Sequence, residues 1–436
     1  MQAPAYAAPV TSPTPSPTGP DDARRAAPST SRALDGADAL EPLRDLFVGS
    51  SSGVVYLDGN SLGRPLRATA TSLAAFVTEQ WGGRLIRGWD EGWSGLPLTL
   101  GDDLGRVALG AAPGQTWVGD STTVTLYKLL RAAVAAQRGE EGDGDRDEIV
   151  IDTDNFPTDR YVVEGVAREC GMTVRWLPVS TSAGVDVAGL AEVLSERTAV
   201  VVLSQVAYRS GWLADVAAIT AAVHDVGGLV LWDLCHSVGS VPIELDAHGV
   251  DLAVGCTYKY LNGGPGSPAF GYVARRHQER LAQPIQGWMG HADPFAMGPR
   301  YAPASGPRRY LSGTPPILGM LAMRDMVALL DEVGIAAVRA KSLALTEHVI
   351  ALTDERLAPL GVTLASPRDG DRRGGHVTLT HPRMREVVTA LWQRDVLPDY
   401  RDPHGLRIGL SPLSTSFAEA EAGVDAVAEV LRDLAG

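Results

Sequence analysis

Thr198-Ala199-Val200-Val201-Val202-Leu203-Ser204-Gln205 is a nearly unbroken β-branched and aliphatic run, and Leu229-Val230-Leu231-Trp232-Asp233 is a second. A strand with one wet face alternates apolar and polar residues. Continuous apolar runs belong to strands covered on both faces, as in a parallel sheet with helices above and below. Between the two runs, Val216 to Val226 carries a helical pattern. The alternation extends upstream. Glu148-Ile149-Val150-Ile151-Asp152 reads as a strand, Pro157 to Cys170 as a helix, Thr173 to Pro178 as a short strand and Asp186 to Arg197 as a helix. This repetition predicts an α/β fold with a mostly parallel central sheet, in which ligands sit beyond the carboxyl ends of strands. Asp233 is at such an end, and Asn155-Phe156 follows another.

A second region begins near Leu318. Long amphipathic helices (about 318–333 and 335–353), short strands near 361–365, 375–380 and 406–410, and a final helix from about Phe417 to Leu434 predict a smaller α+β C-terminal domain. The expected organisation is a Pro-rich disordered tail over 1–32, an N-terminal segment over 33–80 packing with the small domain, a large domain over 81–317 and the small domain over 318–436. Pro, Ala, Ser and Thr dominate the tail, which cannot bury enough apolar surface to offset its ordering entropy. Gly142 to Asp147 reads as a charged loop.

At 45% hydrophobic and 21% charged, the 436-residue chain is ordinary globular material with room for two or three domains. Its net charge of -14 argues against nucleic-acid binding, which needs a clustered basic surface. No apolar run is long enough to span a membrane. No apolar stretch precedes the first basic residue, Arg24, so no secretory signal is expected. The three cysteines, Cys170, Cys235 and Cys256, lack metal-ligand spacing and read as small buried hydrophobes in a reducing compartment. A soluble cytoplasmic protein with no metal site is expected.

The chemistry concentrates in two segments. Asp233-Leu234-Cys235-His236 closes one buried strand, and Tyr258-Lys259 lies between Leu252-Ala253-Val254-Gly255 and Gly263-Gly264-Pro265-Gly266. A lysine alone is ordinarily solvated, and a lone histidine is ordinarily a satisfied core residue. A lysine between a buried strand and a glycine turn is partly buried, which lowers its pKa and frees the amine to condense with an aldehyde. An aspartate at a strand end can pair with a pyridinium nitrogen and keep it protonated, so that the ring accepts electrons from a substrate carbanion. Together these residues point to pyridoxal 5'-phosphate (PLP). Gly119-Asp120-Ser121-Thr122-Thr123 precedes a helix expected from Val124 to Gln137. Alone it is a plain N-cap; beside a Lys–Asp site it becomes a phosphate cup made of free backbone N–H groups. Phe156 could stack on the pyridine ring or serve as core, and Asp159 could be an ordinary helix cap.

From about Tyr56 to Phe417 the chain resembles kynureninase, bacterial type, a PLP-dependent fold-type-I family of the aspartate aminotransferase superfamily. The resemblance rests on Tyr56-Leu57-Asp58-Gly59-Asn60-Ser61-Leu62-Gly63, Phe156-Pro157-Thr158-Asp159, Trp232-Asp233-Leu234-Cys235-His236-Ser237, Tyr258-Lys259-Tyr260-Leu261-Asn262, Gly287-Trp288-Met289-Gly290-His291 and Ser312-Gly313-Thr314-Pro315-Pro316-Ile317. It implies that Lys259 holds PLP and moves protons at the substrate α-carbon. Asp233 pairs with the ring nitrogen with His236 and Asp159 nearby, and Phe156 stacks on the ring. Thr122, Thr123, Ser204 and Tyr258 contact the cofactor. Trp288 and Thr314 reach the phosphate of the neighbouring subunit in a homodimer with shared sites. Arg407 clamps the substrate carboxylate, Asn60 is a further substrate-binding residue, and Trp89 lies near the substrate's aromatic ring. Tyr258 is the candidate general acid. The implied activity is hydrolysis of L-kynurenine to anthranilate and L-alanine, in tryptophan catabolism and the kynurenine pathway toward NAD biosynthesis.

There are departures. Met289 and Thr125 stand where the family often has an aromatic residue and Asn, and Trp89 and Thr314 stand where animal-type members have His and Asn. The latter pair implies a preference for L-kynurenine over its 3-hydroxy derivative. Other readings are a kynureninase-like enzyme for a ring-substituted substrate, a class V aminotransferase or cysteine desulfurase, and a non-catalytic PLP-binding regulator. A desulfurase needs a nucleophilic cysteine on a mobile loop, whereas all three cysteines fall in or beside expected regular elements.

Overall fold

The computed structural model describes residues 30–138 and 146–435. Residues 1–29 of the expected tail and most of the expected charged loop lie outside the described residues. Helix Thr30–Ala37 begins inside the stretch read as tail. Its Asp35 accepts the backbone N–H groups of Phe417 and Ala418 at 2.7 and 3.0 Å, capping the C-terminal helix Phe417–Ala435. Two donors that a helix start leaves unpaired are thereby satisfied.

The strands are β1 (Val55–Tyr56), β2 (Thr116–Val118), β3 (Glu148–Asp152), β4 (Thr173–Leu177), β5 (Thr198–Ser204), β6 (Leu229–Asp233), β7 (Leu252–Gly255), β8 (Phe270–Val273), β9 (Thr363–Leu364), β10 (His376–Thr380), β11 (Val396–Leu397), β12 (Asp399–Arg401) and β13 (Gly405–Gly409). Seven form the main sheet in the order β2-β8-β7-β6-β5-β3-β4. The five from β7 to β4 are mutually parallel, and β8 runs antiparallel to both β7 and β2. The apolar runs behave as their composition requires: β3 and β6 are buried throughout, and β5 to its last residue. The fold is α/β with a mostly parallel central sheet.

Near the C-terminus an antiparallel sheet, β12-β13-β10-β9, packs under helices Ile335–Leu352 and Phe417–Ala435 in its own apolar cluster. The N-terminal segment joins it. β1 pairs with β11, and Arg64 bridges to Glu419 at 2.7 Å.

Several expected elements differ. The stretch 186–197 is helical only over Val187–Ala191, where Asp186 caps the Gly189 N–H and the chain then turns back through Ser195 to enter β5. The helix expected at Val124 starts at Thr122, with Ser121 Oγ accepting from Val124 N. Helix Met384–Trp392 and strands β2 and β8 were not anticipated.

Candidate active site

β5, β6 and β7 end side by side, with Ser204 opposite Asp233 and Asp233 opposite Val254. Asp233 is buried and accepts from Cys235 N at 2.7 Å, which fixes the loop leading to His236. Asp159, in the first turn of helix Pro157–Cys170, faces Asp233 carboxyl to carboxyl. Burial, reinforced by Asp233, pushes Asp159 well above the usual carboxylate range. Among the described residues its Oδ2 has no hydrogen-bond partner.

Lys259 follows β7 and is only 7% exposed. Its Nζ lies 3.2 Å from His236 Nε2 and 3.4 Å from Nδ1. The rings of Phe156 and Tyr258 lie 5.8 and 5.9 Å from the same atom. Burial, then the positive charges of Lys259 and Arg407, drives His236 well below its ordinary pKa, so the imidazole is neutral. After Lys259 the chain turns through Asn262 (φ 50°) and Gly264 (φ 77°), conformations in which the left-handed region favours Asn and Gly. Phe156 caps its helix and meets Tyr208 edge-on, with ring centroids 5.3 Å apart. Ser204 Oγ donates to Asn155 Oδ1 at 3.2 Å. Burial raises the Tyr258 phenol, so it stays protonated.

The C-terminal antiparallel sheet contributes Arg407, on β13 and 1% exposed. Nη1 donates to the Tyr208 carbonyl at 2.7 Å and lies 3.4 Å from His236 Nε2. Nη2 donates to Ser61 Oγ at 2.8 Å and lies 2.6 Å from Asp399 Oδ2. The Asn60 amide satisfies its neighbours with its oxygen toward Arg407 Nε (2.9 Å) and its nitrogen toward Asp58 Oδ1 (3.2 Å). His236 therefore touches both Lys259, which follows β7 of the main sheet, and Arg407 of the antiparallel sheet.

The helix starting at Thr122 and Thr123 follows Asp120, which is in a left-handed conformation (φ 51°). Its first N–H groups have no intrahelical acceptors. Buried Lys128 pairs with Asp120 at 2.6 Å, donates to the Tyr310 carbonyl and lies 3.1 Å from Ser312 Oγ. It thus ties this helix to the strand of chain preceding Thr314. Trp89 and Thr314 come together in a cavity of about 450 Å³, with Trp81, Ile86, Trp93 and Pro315. Trp288 is exposed at 41% and lines a different recess.

Sequence reading missed Asp399, Tyr208 and Lys128. A lysine within a helix reads as solvated, and Asp399 belongs to a three-residue strand without a motif. His376, buried on β10 with its ring 5.8 Å from that of His236, was also missed.

The parallel sheet and the buried lysine, aspartates and neutral histidine at its carboxyl edge define a PLP-dependent enzyme of fold type I. Residues 338–427 match the kynureninase C-terminal domain. Kynureninase from Pseudomonas fluorescens is 42% identical over 403 residues, 92% of this chain and 94% of that protein. The Burkholderia pseudomallei kynureninase is 41% identical over 400 residues, with the same coverage. The chain belongs to the kynureninase family. Among solved structures it resembles a C-DES mutant with glycine covalently linked to the PLP cofactor (TM-score 0.78, 19% identity, 88% of this chain and 99% of that one). It also resembles a cysteine desulfurase from Thermococcus onnurineus (TM-score 0.76, 16% identity, 90% and 98%). At these identities the likeness carries the fold alone.

Proposed function

We infer that this enzyme hydrolyses L-kynurenine to anthranilate and L-alanine, with PLP as cofactor. The observation that carries the reading is the neutral, buried His236 between Lys259 and Arg407. It sets an amine for carbonyl chemistry beside a guanidinium that matches an α-carboxylate, in a member of the kynureninase family.

The residues fit the cofactor. A partnerless buried Asp159 oxygen next to Asp233, an aromatic ring over Lys259 Nζ, and a helix start with free N–H groups suit a pyridinium nitrogen, a ring face and a phosphate respectively. When bound, PLP supplies an electron sink to the substrate α-carbon. Asp233 holds the negative charge opposite the ring nitrogen. Lys259 carries the cofactor and moves a proton at the α-carbon. His236, kept neutral, leaves Lys259 free of a competing cation. Tyr258, held protonated, would donate to the substrate γ-oxygen as water adds to the γ-carbon, after which the β–γ bond breaks. Arg407, with Asn60, receives the α-carboxylate as a bidentate pair.

The enzyme works as a homodimer in which Trp288 and Thr314 complete the neighbour's site. Within one protomer, Thr314 lines the cavity with Trp89, and Trp288 stands exposed, which suits residues that serve another chain. Trp81, Leu85 and Ile86 are exposed on the same face, with Ile86 at 78%. A cytoplasmic location and a place in tryptophan catabolism complete the proposal. The visible spectrum of the purified protein, before and after L-kynurenine, tests the activity. A cofactor band that shifts as anthranilate fluorescence grows is expected; a protein with no such band, or a band indifferent to L-kynurenine, overturns the reading.

A further inference from the structure

Three of the five N–H groups of the Arg407 guanidinium are engaged within the chain. Nε faces Asn60, Nη1 donates to the Tyr208 carbonyl, and Nη2 donates to Ser61. A substrate carboxylate needs two N–H groups of the same fork. Two carboxylates of the chain stand near it. Asp58 Oδ1 is 3.9 Å from Nη2, and Asp399 Oδ2 is in contact at 2.6 Å. An unpaired charge this deeply buried is strongly unfavourable, so some anion must accompany Arg407 whenever substrate is away. Asp399 is placed to leave. It lies on the short edge strand β12, and the same oxygen is 2.9 Å from Nε of Arg401, whose side chain is 36% exposed. A second cation already lies within ion-pair distance of the carboxylate.

Resting on the assignment of Arg407 as the carboxylate clamp, we propose that Asp399 is an internal stand-in for the substrate α-carboxylate. It pairs with Arg407 in the free enzyme and passes to Arg401 when the substrate carboxylate takes its place. Substrate entry is then the exchange of one carboxylate for another. Arg407 is never left unpaired, and a ligand without a carboxylate cannot displace Asp399. Asp399 and Arg401 thereby set the affinity for the acid group without touching the reacting atoms.

The probe is 3-benzoylpropanoate, which has the aryl ketone and the carboxylate but no amine to condense with the cofactor. Its methyl ester is the control. Binding to the PLP-loaded protein is measured by calorimetry. Asp399→Asn should bind the acid roughly 3- to 10-fold tighter, because the competing state is removed. Arg401→Gln should bind it weaker by a comparable factor, because Asp399 has lost its second partner. The ester should bind alike in all three proteins. Equal or weaker acid binding in Asp399→Asn, or an equal gain for the ester, overturns the proposal. Unchanged acid binding in Arg401→Gln overturns the hand-over. Melting temperatures report folding, and if Asp399→Asn does not fold, the sign of the Arg401→Gln effect decides alone. Arg407→Lys separates the two levels. It should abolish the preference for acid over ester, and if the preference survives, the clamp assignment itself fails.

Discussion

At the scale of single residues, the site works by deciding which groups carry charge. His236 is neutral because burial and two neighbouring cations disfavour its charged form, and burial together with Asp233 pushes the Asp159 carboxyl well above the usual range. Asp233 is the group proposed to oppose a positive ring nitrogen. Asp233→Ala should lower kcat/KM at least about 100-fold, since losing a buried charged partner typically costs a few kcal/mol; activity within a factor of two of the parent removes that role. Asp58 offers a pH test. Burial, aided by Asp399, lifts its carboxyl from 3.8 to about 6 against the opposing Ser61 hydrogen bond. A group whose folded pKa is raised contributes stability fully below its unfolded value and loses it as pH rises through the folded one. The melting temperature of Asp58→Asn relative to the parent should therefore climb between about pH 4 and pH 7. A difference that stays flat across that window contradicts it. Trp89 bears on the ring. Its indole offers one N–H donor, so a ring hydroxyl against it lacks a sure partner, and L-kynurenine should be preferred over 3-hydroxy-L-kynurenine by roughly 5- to 150-fold in kcat/KM. Equal values would show that Trp89 is packing only. The burial of Lys259 and Asp233 past the ends of neighbouring strands was legible in the sequence, because each closes or follows an apolar run. Asp399, Tyr208 and Lys128 were not, because their meaning arises from partners distant in the chain.

At the scale of elements, the strands that could be read were those whose burial is written into a local run, and β3, β5 and β6 are the clear cases. β2 has three residues, and its pairing to β8 at the sheet edge is set by tertiary contact rather than by any pattern of its own. Helix Met384–Trp392 buries Met384, Val387, Val388 and Leu391, a helical spacing carried by only four residues. What the local signal also left out is how the N-terminal segment buttresses the Lys259 turn. Gly63 N donates to the Tyr258 carbonyl at 2.9 Å. A Cβ on Gly63 would stand 2.4 Å from the Lys259 carbonyl and 2.6 Å from the Asn262 side chain. Gly63→Ala must therefore move the turn, and overpacking of this kind typically costs about 1–3 kcal/mol. A lower melting temperature together with reduced turnover is expected. Gly36→Ala is the control, since nothing lies within 4 Å of the added carbon and it sits in helix Thr30–Ala37, where Ala is the better helix former. If both variants melt and turn over like the parent, the segment around Gly63 does not position Lys259.

At the scale of the whole molecule, the proposed site residues fall into two groups. Lys259, Asp233, His236 and Arg407 form one buried cluster, while Thr314 and Trp89 line an apolar cavity edged by exposed Trp81 and Ile86. The proposed dimer makes one site from the two groups, with Thr314 of each chain serving its neighbour. Mixing two inactive variants tests this. Lys259→Ala removes the reacting amine, and Thr314→Lys fills the cavity with a charged side chain. In a mixed dimer with shared sites, one site carries both lesions and the other carries neither. If subunits exchange freely, half of the dimers are mixed and half of their sites intact, so about a quarter of the parental activity should return. If Thr314 instead serves its own chain, every site keeps one lesion and mixing restores nothing. Exchange is verified independently with two affinity tags, so that absent recovery in a demonstrably mixed population counts against the shared site rather than against exchange.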